Sequence, residues 1–243
     1  MPRTRILCLH GDGTNGTIFA AQTRHLRRAL NPHGIELVYA TGPYECSAGY
    51  GVSPFFDDCG PFYRWYAAEQ CPEDSDDDCA NASDTSTAGV METFEELKYE
   101  FGDQEDPETG QDGQDTFAGI LAFSSAAGIA AGVLASQRDA ASDVGSPVWY
   151  RFRFGVIING TGRPMQFNNT AQCGKMSIKT PTVFVIGTRD QWQGQSRSLV
   201  DYFDHKAQTC LEFENDHRVP SDPQQVEDVV NAICKVAHQS RRL

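Results

Sequence analysis

Two adjacent serines stand in LAFSSAAG, residues 121–128, directly after an apolar run and directly before a row of alanines. A serine hydroxyl becomes a useful nucleophile only when a base takes its proton, and an imidazole oriented by a carboxylate is one arrangement that does so. Partners of both types lie downstream: Asp190 in VIGTRDQW and His217 in FENDHRVP. Upstream, His10-Gly11-Asp12-Gly13 is a glycine-rich turn able to aim a backbone N–H at a developing oxyanion. Each residue alone has an ordinary alternative. Ser124 could cap the following helix, Asp190 could be a solvated loop carboxylate, and His217 could be an incidental loop histidine. Ser125 is a rival nucleophile, although it would sit one residue into the helix, where its amide is better used as an oxyanion donor.

The elements that would position these residues alternate between strand and helix. Arg5–Leu9 and Ile35–Ala40 are short apolar strands, separated by helical spacing over Thr17–Leu30 that Asn31-Pro32-His33-Gly34 stops. Residues 41–89 are rich in Gly, Pro, Asp and Ser and read as a long irregular excursion. Val90, Phe94, Leu97 and Phe101 then mark one amphipathic helix with an acidic outer face, and a loop over 102–115 follows. Phe117–Phe123, Phe152–Ile158, Thr182–Ile186 and Thr209–Phe213 are further apolar runs of strand length. Ala126–Ser136 reads as a small-residue helix, and Ser196–His205 places Leu199 and Phe203 on one face. The last helix carries Asp222 as N-cap, Pro223 at its first position and Gln225 as capping-box partner. Strands apolar on both faces, separated by helices, predict a parallel sheet covered on both sides. No internal repeat or linker appears, so residues 1–243 are expected to form one domain.

Ser124, Asp190 and His217 each fall just past a strand end, where open parallel sheets bind ligands. Serine, aspartate, histidine is also the chain order of an α/β-hydrolase triad. Of the six histidines only His10 and His217 end a strand. The backbone N–H groups of Asp12 and Ser125 complete the expected site as an oxyanion hole. A phosphate-binding loop is the competing reading of GDGTNG, but that stretch has neither the lysine of a P-loop nor a G-x-G-x-x-G pattern. The strand–turn–helix context of Ser124 is that of a nucleophile elbow, yet its usual signature, G-x-S-x-G, has alanine at both glycine positions here.

Composition narrows the classes. The net charge is −13, but residues 73–115 hold 16 acidic residues against Lys98 alone, which leaves +2 for the rest of the chain. No basic stripe appears, so nucleic-acid binding is not expected. No apolar run approaches the roughly 20 residues of a membrane span, and the apolar run near the N-terminus reads as a buried strand, not a signal peptide. Of eight cysteines, Cys8, Cys210 and Cys234 fall in apolar strand or helix contexts and are expected to be buried thiols. Cys46, Cys59, Cys71 and Cys79 lie in loops without a CxxC or a nearby histidine, so no metal site is expected. A cytoplasmic, reducing setting follows, with one loop disulfide left open.

Five stretches carry a resemblance: ILCLHGDGTNGTIFAAQTRHLRRAL near the start, GPFYRWY at 60–66, FAGILAFSSAAGIAA at 117–131, KTPTVFVIGTRDQW at 179–192 and ENDHRVPSD at 214–222. In these the chain resembles the fungal serine hydrolases related to the yeast family of serine hydrolases. That family includes stand-alone thioesterases that release polyketides from fungal synthases, of the lovastatin type. It usually carries G-F-S-x-G where this chain has AFSSA. The resemblance implies an α/β-hydrolase fold: a mostly parallel central sheet with helices on both faces and an irregular, lid-like acidic insertion at about 41–115. It implies Ser124, Asp190 and His217 as the triad, no cofactor, and an ester or thioester of a small acyl or polyketide acid as substrate. A polyketide synthase carrier domain is an open partner. His10, Tyr44, Phe62, Tyr63, Trp65 and Trp192 are expected to line the acyl pocket, by position only, with core packing the alternative for each. Two other activities stay open: a non-hydrolytic polyketide-tailoring step on the same triad, and a catalytically dead binding module.

Overall fold

In the computed structural model the residues described are 4–67, 84–102, 117–140, 151–167 and 177–240. Cys71, Cys79, the acidic run 73–78 and almost all of the loop 102–115 lie outside them. Six strands form the main sheet, all parallel: β1 (Thr4–Leu9), β2 (Ile35–Tyr39), β5 (Gly119–Phe123), β6 (Phe154–Ile158), β7 (Thr182–Gly187) and β8 (Gln208–Phe213), in the spatial order β2-β1-β5-β6-β7-β8. The chain starts inside the sheet, runs to one edge, returns to β5 and then builds outward to the other edge. The order therefore reverses between β1 and β5, where Leu9 is in register with Ala122. The loops leaving these two strands diverge around a crevice, the place where such sheets bind ligands.

Alternate residues of each strand feed two cores, as the period of two requires. Leu7 and Leu9 of β1, Ile120 and Ala122 of β5, and Phe184 and Ile186 of β7 enter one. Ile6 and Cys8, Leu121 and Phe123, and Val183 and Val185 enter the other. The first core is closed by α3 (Asp84–Gly102), α4 (Ala126–Ala140) and α5 (Gln193–Val200). The second is closed by α2 (Arg24–Leu30) and α6 (Pro223–Gln239), with Phe19 of α1 (Gly16–Gln22) between them. The inner strands β5, β6 and β7 are thus buried at every position, and they read apolar for that reason. The amphipathic helix expected over Val90–Phe101 is α3: Val90, Phe94 and Leu97 are buried while Glu92, Glu95, Glu96 and Glu100 are exposed.

Four local expectations are corrected. The helix over Thr17–Leu30 breaks at Thr23, whose hydroxyl bonds back to the Phe19 carbonyl (2.7 Å) and meets the Tyr39 hydroxyl (2.6 Å); such back-bonding bends helices. The helix expected over Ser196–His205 ends at Val200, and Phe203 is buried instead by a turn that bridges Ile178. Gln225 does not fold back on its cap: Asp222 accepts from the Gln224 and Gln225 amides, while the Gln225 side chain accepts from Asn215 (2.7 Å). Cys210 is exposed and Cys234 only half-buried, because the outer face of the edge strand β8 is uncovered and position 234 lies at the margin of the α6 core; Cys8 is buried as expected.

The excursion over 41–89 is not wholly irregular. It contains a short antiparallel hairpin, β3 (Tyr44–Cys46) with β4 (Phe62–Arg64). The hairpin is stitched to the turn after β1: Gly13 N–H donates to the Tyr63 carbonyl (3.0 Å), and Tyr63 N–H donates to the Thr14 carbonyl (2.7 Å). From the loop beyond β3, Gly49 N–H donates to the Gly13 carbonyl (3.0 Å). Gly13 has φ +66°, and a Cβ there would lie 2.0 Å from the Gly49 nitrogen. Only glycine fits, both for the left-handed backbone and for the close approach.

Candidate active site

Ser124 lies between β5 and α4 with φ +57°; among the described residues only it and Asn159 are non-glycine with positive φ. The left-handed turn is held from several sides. Ser124 N–H donates to the Ile158 carbonyl (3.1 Å), and the Ser124 carbonyl accepts from the amides of Ala127 and Thr161, both at 3.0 Å. A backbone strained in this way persists only when its surroundings over-determine it, as these bonds do. The strained turn also explains the alanines. The positive φ falls on Ser124 itself, so Ala122 and Ala126 need only be small, and both are fully buried beneath the turn. The glycine that lies against the nucleophile is Gly11, where a Cβ would stand 3.0 Å from the Ser124 Cβ and press on it.

From the turn, a hydrogen-bonded chain runs inward. The Ser124 hydroxyl is 2.8 Å from His217 Nε2, and His217 Nδ1 is 2.7 Å from Asp190 Oδ2. Asp190 Oδ1 accepts from the Trp192 amide (2.9 Å), so both carboxylate oxygens are engaged. The Asp190 side chain has no exposed surface and that of His217 only 6%. Aromatic rings enclose the imidazole: Trp192 at 4.5 Å and Phe123 at 5.0 Å between centroids, with Tyr50 edge-on to Trp192 at 5.1 Å. In so dry a setting the attraction between an imidazolium and a carboxylate is much stronger than in water. The arrangement can lift a proton from Ser124 and hold the resulting charge.

Opposite the imidazole, the turn after β1 brings Asp12 against the elbow. Among the described residues neither the Asp12 nor the Ser125 backbone N–H has a hydrogen-bond acceptor, whereas the Gly13 amide is committed to Tyr63. Two unpaired amides flanking a nucleophile are what a tetrahedral oxyanion needs. The side chains of the same two residues also meet: Ser125 Oγ donates to Asp12 Oδ1 (2.8 Å), and the Tyr66 hydroxyl donates to Asp12 Oδ2. Burial raises the Asp12 carboxyl above its ordinary pKa, against the opposing influence of the Tyr66 and Ser125 bonds and the Arg64 charge.

Asn159 was not legible as a site residue. It ends β6 with φ +45° and is buried. Its Nδ2 donates to the Arg218 carbonyl (3.0 Å) and lies 3.5 Å from the Asp216 carbonyl, so it grips the chain on both sides of His217. Its Oδ1 accepts from Gly187 N–H (2.7 Å) at the end of β7, three residues before Asp190. The only signal was Asn-Gly closing an apolar strand, which marks a left-handed turn without saying what it holds. Tyr66 had no signal beyond its neighbourhood.

The expected pocket residues divide. Trp192 does face His217. His10 and Trp65 are corrections: both are fully buried, and their polar groups are consumed inside the fold. His10 Nε2 accepts from the Gly42 amide (2.9 Å), its Nδ1 lies 2.8 Å from the Gly11 carbonyl, and Trp65 Nε1 donates to the His10 carbonyl (2.8 Å). They brace the turn from beneath. Phe62 and Tyr63 are half-buried in the hairpin, and Tyr44 packs against α3 beside Gly89.

Burial lowers His10 from 6.5 to about 4, only partly opposed by its bond to Gly11. The unfolded chain therefore takes up a proton that the folded one refuses as pH falls through this window. The contribution is intact above about pH 6.5 and lost progressively toward pH 4, by about 3 kcal/mol at 1.36 kcal/mol per pKa unit. Urea midpoints at pH 7 and pH 4.5 should show the loss, and His10→Asn, less stable at pH 7, should show a shallower one. An equal slope in that variant excludes His10 as its source.

A parallel sheet with a strained serine on its elbow, backed by histidine and a buried aspartate, defines a serine hydrolase of the α/β-hydrolase fold. The chain belongs to the family described as Serine hydrolase (FSH1), whose pattern it matches over residues 1–229. It is similar to the probable esterase azaC of Aspergillus niger, at 31% identity over 97% of this chain and 86% of that protein. It is also similar to the esterase mlcF of Penicillium citrinum, at 30% identity over 94% of this chain and 88% of that protein. Among solved structures, maize acyl-protein thioesterase 2 matches with a TM-score of 0.58 and 16% identity, covering 98% of this chain and 95% of that one. Arabidopsis thaliana SOBER1 matches with a TM-score of 0.53 and 18% identity, covering 96% of this chain and 99% of that one. At those identities the structural likeness speaks to the fold. Among the described residues, no helix is long and apolar enough to cross a membrane.

Proposed function

We propose that this chain cleaves an ester or thioester of a small acyl or polyketide acid through an acyl-enzyme on Ser124. The observation that carries the reading is the unbroken chain Asp190–His217–Ser124, ending on a serine at positive φ. His217 takes the hydroxyl proton as Ser124 attacks the carbonyl, and the Asp12 and Ser125 amides hold the oxyanion. His217 then protonates the leaving alcohol or thiol, and a water activated by the same imidazole hydrolyses the acyl-enzyme. Residues 1–243 act as one domain in this reading, with the hairpin of the insertion held against the turn beside the site and α3 packed on the sheet face. The esterase names of the fungal relatives support the substrate class. A carrier-bound polyketide thioester is the finer assignment, and free thiols at Cys8, Cys46 and Cys59 suit a reducing, cytoplasmic setting.

A fluorophosphonate probe should label the protein stoichiometrically at Ser124, located by peptide mapping. Synthetic oxoesters and thioesters of the same acid, assayed side by side, should release free acid. Absence of both labelling and acid release would leave the binding-module reading; labelling with transfer to a nucleophile other than water would favour a tailoring step.

Asn159→Gly tests the brace on His217. Glycine accepts the positive φ without strain, so only the side-chain bonds are lost. Misplacing the imidazole should lower kcat by about 10- to 100-fold with little change in KM. Steady-state kinetics on the better of the two substrates would measure it.

A further inference from the structure

We propose that the Asp12 side chain is a positioning residue for the oxyanion site, clipping together the two loops whose amides hold the charge. The inference rests on the triad reading above. The two amides come from loops 113 positions apart in sequence, one after β1 and one after β5. Oxyanion stabilisation depends on donors placed within a few tenths of an ångström. No backbone hydrogen bond among the described residues joins Asp12 to the elbow. What joins them is Ser125 Oγ donating to Asp12 Oδ1 at 2.8 Å, a bond between the side chains of the very residues that supply the amides.

The second carboxylate oxygen extends the clip to the insertion. Tyr66, two residues past β4, bonds Asp12 Oδ2, and the same hairpin holds Gly13 and Thr14 through Tyr63. A carboxylate so near a developing negative charge would oppose the reaction if left bare. Here both oxygens accept hydroxyl hydrogens, and the Arg64 charge acts on the carboxylate from the hairpin. A purely space-filling residue at position 12 would need none of these partners.

The test is a double-mutant cycle on Asp12→Ala and Ser125→Ala, with Asp12→Asn as the conservative variant. Ser125→Ala keeps its backbone amide, so it removes the clip and not the donor. Each single variant should lower kcat by about 10- to 100-fold with KM within about twofold. The double variant should be no slower than the slower single, because one interaction is being removed twice. Asp12→Asn should recover most of the rate: its carbonyl oxygen still accepts from Ser125, and its amide can donate to the Tyr66 oxygen. Multiplying losses, a wild-type kcat in Asp12→Ala, or a rate in Asp12→Asn as low as in Asp12→Ala would each overturn the proposal. Fluorophosphonate labelling of the wild type at Ser124 separates the two levels. If it labels while these variants keep full rate, the clip alone is wrong; if it does not label, the triad reading fails and the clip with it.

Discussion

Ser124→Ala should lower kcat by about 10⁵-fold, roughly 7 kcal/mol of transition-state stabilisation, while the protein stays folded. The size follows from what one atom does in the proposed mechanism. With the hydroxyl gone there is no acyl-enzyme, and His217 has no proton to take. Residual turnover then comes only from binding and the oxyanion amides. The fold should tolerate the change because the turn is held by backbone bonds, from Ser124 N–H to Ile158 and from Ala127 and Thr161 to the Ser124 carbonyl. Alanine at φ +57° meets the same penalty serine already bears. Glycine would escape it, so Ser124→Gly should be more stable than the native chain by about 1 kcal/mol and equally inactive. Labelling, turnover and melting temperature, measured on all three proteins, would check this. A Ser124→Ala protein that kept its activity on the natural substrate would remove Ser124 as nucleophile and point to acid–base chemistry by His217.

Asp190→Asn should lower kcat by about 10⁴-fold with KM nearly unchanged. The native carboxylate accepts two donors, the Trp192 amide and His217 Nδ1. A carboxamide can accept only one of them and must turn its NH₂ toward the other. The Trp192 backbone N–H cannot become an acceptor, whereas the imidazole can change tautomer. The NH₂ therefore faces His217, forces the proton onto Nε2 and leaves nothing to receive the Ser124 proton. Fluorophosphonate labelling should slow by a similar factor, since it needs the same deprotonation. A variant with native rate would mean that Asp190 only fills space.

How much of this was legible depended on the range of the interactions. The strands, the outward acidic face of α3 and the cap at Asp222 rest on spacing within one segment, and they appear with boundaries shifted by a few residues. The break at Thr23 was hidden because it depends on a hydroxyl shared with Tyr39, 16 positions away. Gln225 misled for the same reason: its partner is Asn215 across the turn, not its own cap. His10 ended a strand as His217 does, and nothing local separated them. One is sealed beneath Gly42 and Trp65, and the other faces a serine.

By itself the sequence determined a parallel α/β sheet, the order serine, aspartate, histidine at successive strand ends, and the small residues that let a tight elbow form. These are properties of period, chain order and side-chain size, all written locally. Only the tertiary structure decided that Ser124, His217 and Asp190 lie within hydrogen-bonding reach and that Asn159 grips the histidine loop. It alone showed that Asp12 meets Ser125. It also moved the weight of the elbow from its flanks to its centre. Strand register and the reversal between β1 and β5 bring distant loops to one crevice, and the strained φ belongs to the serine, so alanine on either side suffices.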